Sequence, residues 1–183
     1  WDNTDVTFGE IIESMGKVPL PPYIRRESEP SDKDKYQTVY AEVDGSVAAP
    51  TAGLHFTDDV LKKIRMKNCG IDYLTLNVGA GTFKPVKSKI IGEHKMHGEL
   101  FCVSDDLLKN ILKYRDRRIT AVGTTSLRTL ESIYWYGVKL KKNIGSEFYI
   151  EQWYPYENGE IPMEESVNEV LYYMVKNNLK NIY

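Results

Sequence analysis

Residues 118–137, RITAVGTTSLRTLESIYWYG, decide the fold class. Ile119 to Val122 suit a short strand. Gly123-Thr124-Thr125 reads as a turn, and a helix is expected from about Ser126 to Tyr136, closed by Gly137. A strand feeding a helix through a tight turn is the building unit of an α/β domain.

The same alternation extends outward. Thr57 followed by Asp58 and Asp59, with Val60, Leu61 and Ile64 behind, predicts a capped helix with acid at its positive end, stopped by Gly70. DYLTLNVGAGTF predicts a buried strand from Tyr73 to Val78 running into a glycine turn, and GELFCVS a second strand. SDDLLKNILKYRDRR predicts a helix with Leu107, Leu108, Ile111 and Leu112 on one face. EQWYPYENGEIPMEESVNEVLYYMVKN is acidic and aromatic, with a helix from Glu164 to about Asn178. SDKDKYQTVYA starts with N-cap chemistry at Ser31 and Asp32, whereas YQTVYAEV equally suits a strand, and GKVPLPPYIRR, with Pro19, Pro21 and Pro22, must run extended. The expectation is an α/β fold with a parallel or mixed sheet and packed helices.

A chain of 183 residues is long enough to bury roughly 70% of its unfolded surface. The net charge of −2 gives no support to a strongly basic nucleic-acid binder, yet charge is segregated. Basic residues gather at Arg25-Arg26, Arg115 to Arg118 and Lys139 to Lys142, whereas residues 143–175 hold seven Glu and no Lys or Arg. Cys69 and Cys102 form no metal-spaced pair, so a reducing, cytoplasmic setting fits. No apolar run approaches the ~20 residues of a membrane span. The chain opens at Trp1 without an initiator Met and reads as a piece of something longer.

Four stretches carry chemistry. In AVGTTSLRTLES, hydroxyls, free backbone N–H groups and a helix dipole converge where an anion would bind, with Arg128 able to add a bidentate contact. Ordinary helix capping is the plainer reading. NVGAGTFKPV offers Gly79 and Gly81 for close backbone approach, although Lys84-Pro85 speaks against a dinucleotide loop. HKMHGE places His94, His97 and Glu99 together. Gly92 and Gly98 oppose a helix, and a strand sends the two histidines to opposite sides, so no metal site is expected. His97 and Glu99 share a strand face and suit an acid/base pair, solvated loop histidines being the alternative. GSVAAPTAGLHFT, residues 45–57, is nearly uncharged, and its Gly53 and His55 serve either close packing or a ligand.

These motifs, with GKVPLPPYIRR and DKYQTVYA, occur in order over residues 9–137, about seven tenths of the chain, and resemble the S-adenosylmethionine:tRNA ribosyltransferase-isomerase family of the queuosine pathway. The resemblance implies transfer of the ribosyl portion of S-adenosylmethionine to 7-aminomethyl-7-deazaguanine at the tRNA wobble position. Epoxyqueuosine, adenine and methionine are the products, and no metal takes part. It also implies an α/β body carrying an inserted small β-barrel, with residues 1–18 the barrel's exit, 19–137 the catalytic body and 138–183 an acidic segment outside the recognisable motifs. As a piece of that body the chain is expected to fold at least partly and to turn over poorly alone.

His97, Glu99 and His55 are then the expected catalytic residues. Arg25, Arg26, Thr51, Gly53, Gly79, Gly81, Thr82, Thr124, Thr125 and Arg128 are the expected cofactor- or tRNA-binding positions. Asn77 stands where the family commonly has a histidine, so an imidazole there is lost or replaced by an amide. A non-catalytic tRNA-binding module and a hydrolase of phosphorylated small molecules are the alternatives.

Overall fold

The computed structural model describes residues 24–43, 46, 48–83 and 87–183, with isolated positions 7, 16, 18, 20 and 21. The stretch 1–18, expected to leave a β-barrel, and Lys84-Pro85 thus lie outside the described residues apart from positions 7, 16 and 18.

Helix α1 (Asp32–Lys35) makes the start of SDKDKYQTVYA a single helical turn, and residues 36–41 form neither helix nor strand. Its buried Asp32 receives both arms of Arg26, at 2.7 and 2.6 Å, and the Glu29 N–H at 2.8 Å. Local pairing of the aspartate with the incoming chain fixes a turn that strand propensity alone would not favour.

Helix α2 (Asp58–Met66) starts as the acidic cap predicts, with Thr57 Oγ1 accepting the Val60 N–H at 3.3 Å. It stops before the expected Gly70. Asn68 takes φ 56°, a left-handed conformation that asparagine tolerates.

Strands β1 (Thr75–Asn77), β2 (Leu100–Ser104) and β3 (Asn181–Ile182) form a three-stranded sheet in the order β1-β2-β3. Every pairing among the described residues is antiparallel, with Asn77 opposite Leu100 and Val103 opposite Ile182. Alternation of strands and helices suggested parallel neighbours, which need a long crossover. The described part of the β1-to-β2 connection holds only short 3₁₀ turns, Ala80–Phe83 and Ile91–Glu93. The make-up is still α/β: helices packed on a small sheet.

Ser104 caps α3 (Asp105–Lys113) by accepting the Leu107 N–H at 3.2 Å, and Leu107 and Leu108 are buried as the apolar face predicts. The expected strand Ile119–Val122 has no ladder partner among the described residues, and Ile119 is exposed. β-branched composition permits a strand but only a neighbouring strand makes one.

Helix α4 (Thr124–Lys141) begins at the expected turn but runs straight through Gly137. That glycine is a crossing point with α6 (Met163–Lys176), not a cap. A Cβ on Gly137 would lie 2.1 Å from the Ser166 carbonyl oxygen, and the fully buried Ser166 hydroxyl donates to the Tyr134 carbonyl. Tyr134 Oη in turn donates to the Ile161 carbonyl at 2.8 Å and accepts the Ile161 N–H at 3.0 Å.

The core lies where α4 and α6 meet α3 and the sheet: Val103, Leu108, Ile133, Tyr136, Val170, Met174 and Ile182 are among its buried residues. A smaller cluster joins Trp135 and Val138 to Tyr154, at the start of the short helix α5 (Tyr154–Glu157). The acidic segment is therefore built into the body. Lys141 pairs with Glu165 at 3.0 Å and Glu169 at 3.2 Å, and Arg115 with Glu164 at 3.3 Å, so basic and acidic stretches neutralise each other. No helix is long and apolar enough to cross a membrane among the described residues.

Candidate functional site

Antiparallel pairing of β1 with β2 sets the site. Asn77 ends β1 opposite Leu100, which begins β2, so residues just after β1 meet residues just before β2. NVGAGTF and HKMHGE are brought together by that register. Thr82 Oγ1 donates to Glu99 Oε1 at 3.2 Å and lies 3.4 Å from His97 Nε2. His97 Nε2 is 3.0 Å from the same carboxylate oxygen. An ionised carboxylate only accepts, so Nε2 carries the ring proton and Nδ1 is left as the basic nitrogen.

Gly81 packs closely against this ring. A Cβ there would stand 3.1 Å from His97 Cγ and 3.2 Å from Cδ2, so any side chain would press on the imidazole. Gly79 differs: it is exposed, with open space where a Cβ would go.

Helix α4 closes the site from the other side. Arg128 Nη2 lies 3.0 Å from Glu99 Oε2, an ion pair whose angles leave that oxygen without a hydrogen bond. The Glu99 side chain is only 7% exposed and the Arg128 side chain 40%. A buried carboxylate needs such a partner, because desolvation alone disfavours its charge. Arg128, expected to receive an external anion, is thus engaged by the chain's own carboxylate.

The α4 N-terminus has no side-chain cap, and Gly123 precedes it at φ 96° and ψ 150°, a conformation essentially restricted to glycine. A Cβ on Gly123 would sit 3.7 Å from Ala52 Cβ, so the 3₁₀ turn Thr51–His55 lies against this helix start.

An open cleft of about 570 Å³ runs from this cluster along α4, within the size range of small-molecule sites. Thr125, Arg128, Ser132 and Trp135 line it from one stripe of the helix, Leu76 and Phe101 from the sheet, and Phe148, Tyr149, Gln152 and Tyr156 from the acidic segment. The helical stripe is readable from spacing once α4 is placed. The segment 148–156 gives no such signal, since its residues belong to no long periodic element.

His97, Glu99, Thr125 and Arg128 therefore share the cleft, with Gly81 and Thr82 behind them. The remaining positions lie apart from it. His55, Thr51 and Thr124 are exposed and absent from the cleft lining. Gly53 is buried, and a Cβ there would lie 2.1 Å from Tyr40 Oη and 2.7 Å from Thr38 Cγ2, so its missing side chain makes room for protein. Arg26 is committed to Asp32, whose carboxyl it holds well below the usual carboxylate range, helped by the Glu29 N–H. Arg25 is exposed beside it. Asn77 follows the cleft-lining Leu76 and by strand alternation faces the other side. Among the described residues no three His, Cys, Asp or Glu side chains group as metal ligands.

A family model described as queuosine biosynthesis protein matches residues 2–157. A relative from Halothermothrix orenii named S-adenosylmethionine:tRNA ribosyltransferase-isomerase is 55% identical over 130 residues, covering 70% of this chain and 38% of its own length. Relatives of the same name from Legionella pneumophila and Sulfurihydrogenibium sp. are 56% identical over 125 residues and 54% over 123 residues, covering 67% and 66% of this chain and 37% of each relative. The chain thus spans less than two fifths of the length of these relatives. No solved structure matches.

Proposed function

This chain belongs to the queuosine biosynthesis protein family, and from that premise we propose that it supplies the catalytic cleft of an S-adenosylmethionine:tRNA ribosyltransferase-isomerase. The observation that carries the reading is the His97–Glu99–Arg128 chain of contacts at 3.0 Å and 3.0 Å on the wall of a cleft large enough for a nucleoside. The substrates are S-adenosylmethionine and a tRNA bearing 7-aminomethyl-7-deazaguanine at the wobble position. The partner tRNA makes the cytoplasm the working location.

The sulfonium of S-adenosylmethionine withdraws electrons from C5′, so loss of the C5′ proton is the opening step and calls for a positioned base. His97 Nδ1 takes that proton. Glu99 accepts from Nε2 and offsets the positive charge that then develops on the ring, as a carboxylate does for a catalytic imidazole elsewhere. Arg128 holds the carboxylate in place through Oε2, and Thr82 holds Oε1. The aminomethyl nitrogen then bonds to the ribosyl fragment and loses a proton, the C1′–N bond to adenine breaks as the proton on His97 passes to the departing base, and the C5′–S bond breaks with its electron pair leaving on methionine.

The test is adenine release from S-adenosylmethionine in a full-length protein carrying this chain, with and without the modified-base tRNA. Release that depends on the tRNA supports the reading. Tight tRNA binding without adenine release makes the chain a binding module, and release of inorganic phosphate from phosphosugars makes it a hydrolase.

A further inference from the structure

Residues 95–98, which carry His97, belong to no helix or strand and make no backbone-to-backbone hydrogen bond among the described residues. One distant side chain ties them down. The Gln152 Nε2–H donates to the His94 carbonyl at 2.9 Å, and Gln152 Oε1 accepts the Met96 N–H at 2.9 Å. A single amide thus pairs with this stretch as a neighbouring strand would, matching one donor and one acceptor.

Gln152 is itself anchored. Buried Lys139 donates to the Tyr149 carbonyl at 2.8 Å and lies 3.6 Å from Glu151 Oε2, which fixes residues 149–152 to α4. Lys139 and Arg128 are eleven residues apart on that helix, about three turns and ~16 Å along one face. One helix therefore grips the His97 loop at two points: Arg128 through Glu99, and Lys139 through the 149–152 strap and Gln152.

We infer that Gln152, from the cleft wall, is a positioning residue for His97 that sets where the imidazole stands by holding the backbone of His94 and Met96. The inference rests on the reading of His97 as the group that moves the proton. Displacing a catalytic group by about 1 Å costs up to about 10²-fold in rate, and an untethered loop permits such a shift. Gln152 is exposed, so Gln152→Met keeps the length and removes both hydrogen bonds with little effect on the core.

The experiment has two arms in a full-length protein carrying this chain. The first is single-turnover adenine release by Gln152→Met, His97→Ala and the double variant, with S-adenosylmethionine and tRNA affinities measured in parallel. The second is the ring ¹H–¹⁵N spectrum of His97, which needs no turnover. The expected result is a loss of about tenfold or more in rate with both affinities within about twofold, no further loss in the His97→Ala background, and a shifted His97 ring signal. A Gln152→Met rate within twofold of the unsubstituted protein, a loss that adds in full to that of His97→Ala, or an unmoved ring signal overturns the inference. If the unsubstituted protein itself releases no adenine, the functional reading fails, and the spectrum alone decides whether Gln152 holds His97.

Discussion

Arg128 Nη2 stands 3.0 Å from the almost fully buried Glu99 Oε2, so the first turns of α4 hold a carboxylate of the chain itself. Removing the cation leaves a buried charge without its partner, whereas removing both leaves neither. Arg128→Ala should destabilise the chain by about 1–3 kcal/mol, and Glu99→Gln combined with it should recover part of that loss. Urea denaturation of the single and double variants checks this. Additive losses would mean that the two side chains do not support each other.

Gly81 separates packing from catalysis. With the His97 ring 3.1 Å from the position of an added Cβ, Gly81→Ala must push the imidazole by a few tenths of an ångström. The expected outcome is a clear fall in single-turnover adenine release with little change in thermal stability. Gly79→Ala, where the space is open, should be near neutral in both measurements.

Gly137 inverts the usual rule for helices. Alanine normally stabilises a helix interior by about 1 kcal/mol over glycine. Here the new methyl would meet the Ser166 backbone carbonyl at 2.1 Å, and α4 and α6 would have to separate. Gly137→Ala should lower the melting temperature sharply, with a loss in the overpacking range of about 1–3 kcal/mol or more.

Acid sensitivity follows from Asp32 and Asp105. Arg26 holds the Asp32 carboxyl well below its usual range, and Lys109 lowers that of Asp105. Because both folded-state values lie below the unfolded ones, their contribution is fully present above the ordinary carboxylate range. It is lost as pH falls through that range toward the folded values. Stability measured by denaturant between pH 7 and pH 3 should decline, and Arg26→Ala should be less stable at pH 7 with a flatter decline. An unchanged slope in Arg26→Ala would remove Asp32 from the account.

The sequence is legible where the chemistry is local. The caps at Thr57 and Ser104, the apolar face around Leu107 and Leu108, and the pairing of His97 with Glu99 two residues on all follow from neighbours in the chain. Features that depend on a distant partner were not visible. Gly137 looks like a helix stop until Ser166 is placed against it, and Ile119–Val122 looks like a strand until no partner comes alongside. Gly53 reads as room for either packing or a ligand, and only the fold brings Tyr40 and Thr38 to where its Cβ would stand. The Arg128–Glu99 pair spans 29 positions and the Gln152 clamp 56 and 58, a separation that only the fold closes.

Single-turnover adenine release in full-length His97→Ala and Glu99→Gln variants, with S-adenosylmethionine and tRNA affinities measured beside it, decides whether His97 moves the C5′ proton. The account predicts a loss of about 10²-fold or more in rate for His97→Ala with both affinities preserved, and a smaller loss for Glu99→Gln, which keeps a hydrogen-bond acceptor beside Nε2. Near-normal release by His97→Ala would contradict it and place the base outside the His97–Glu99–Arg128 cluster.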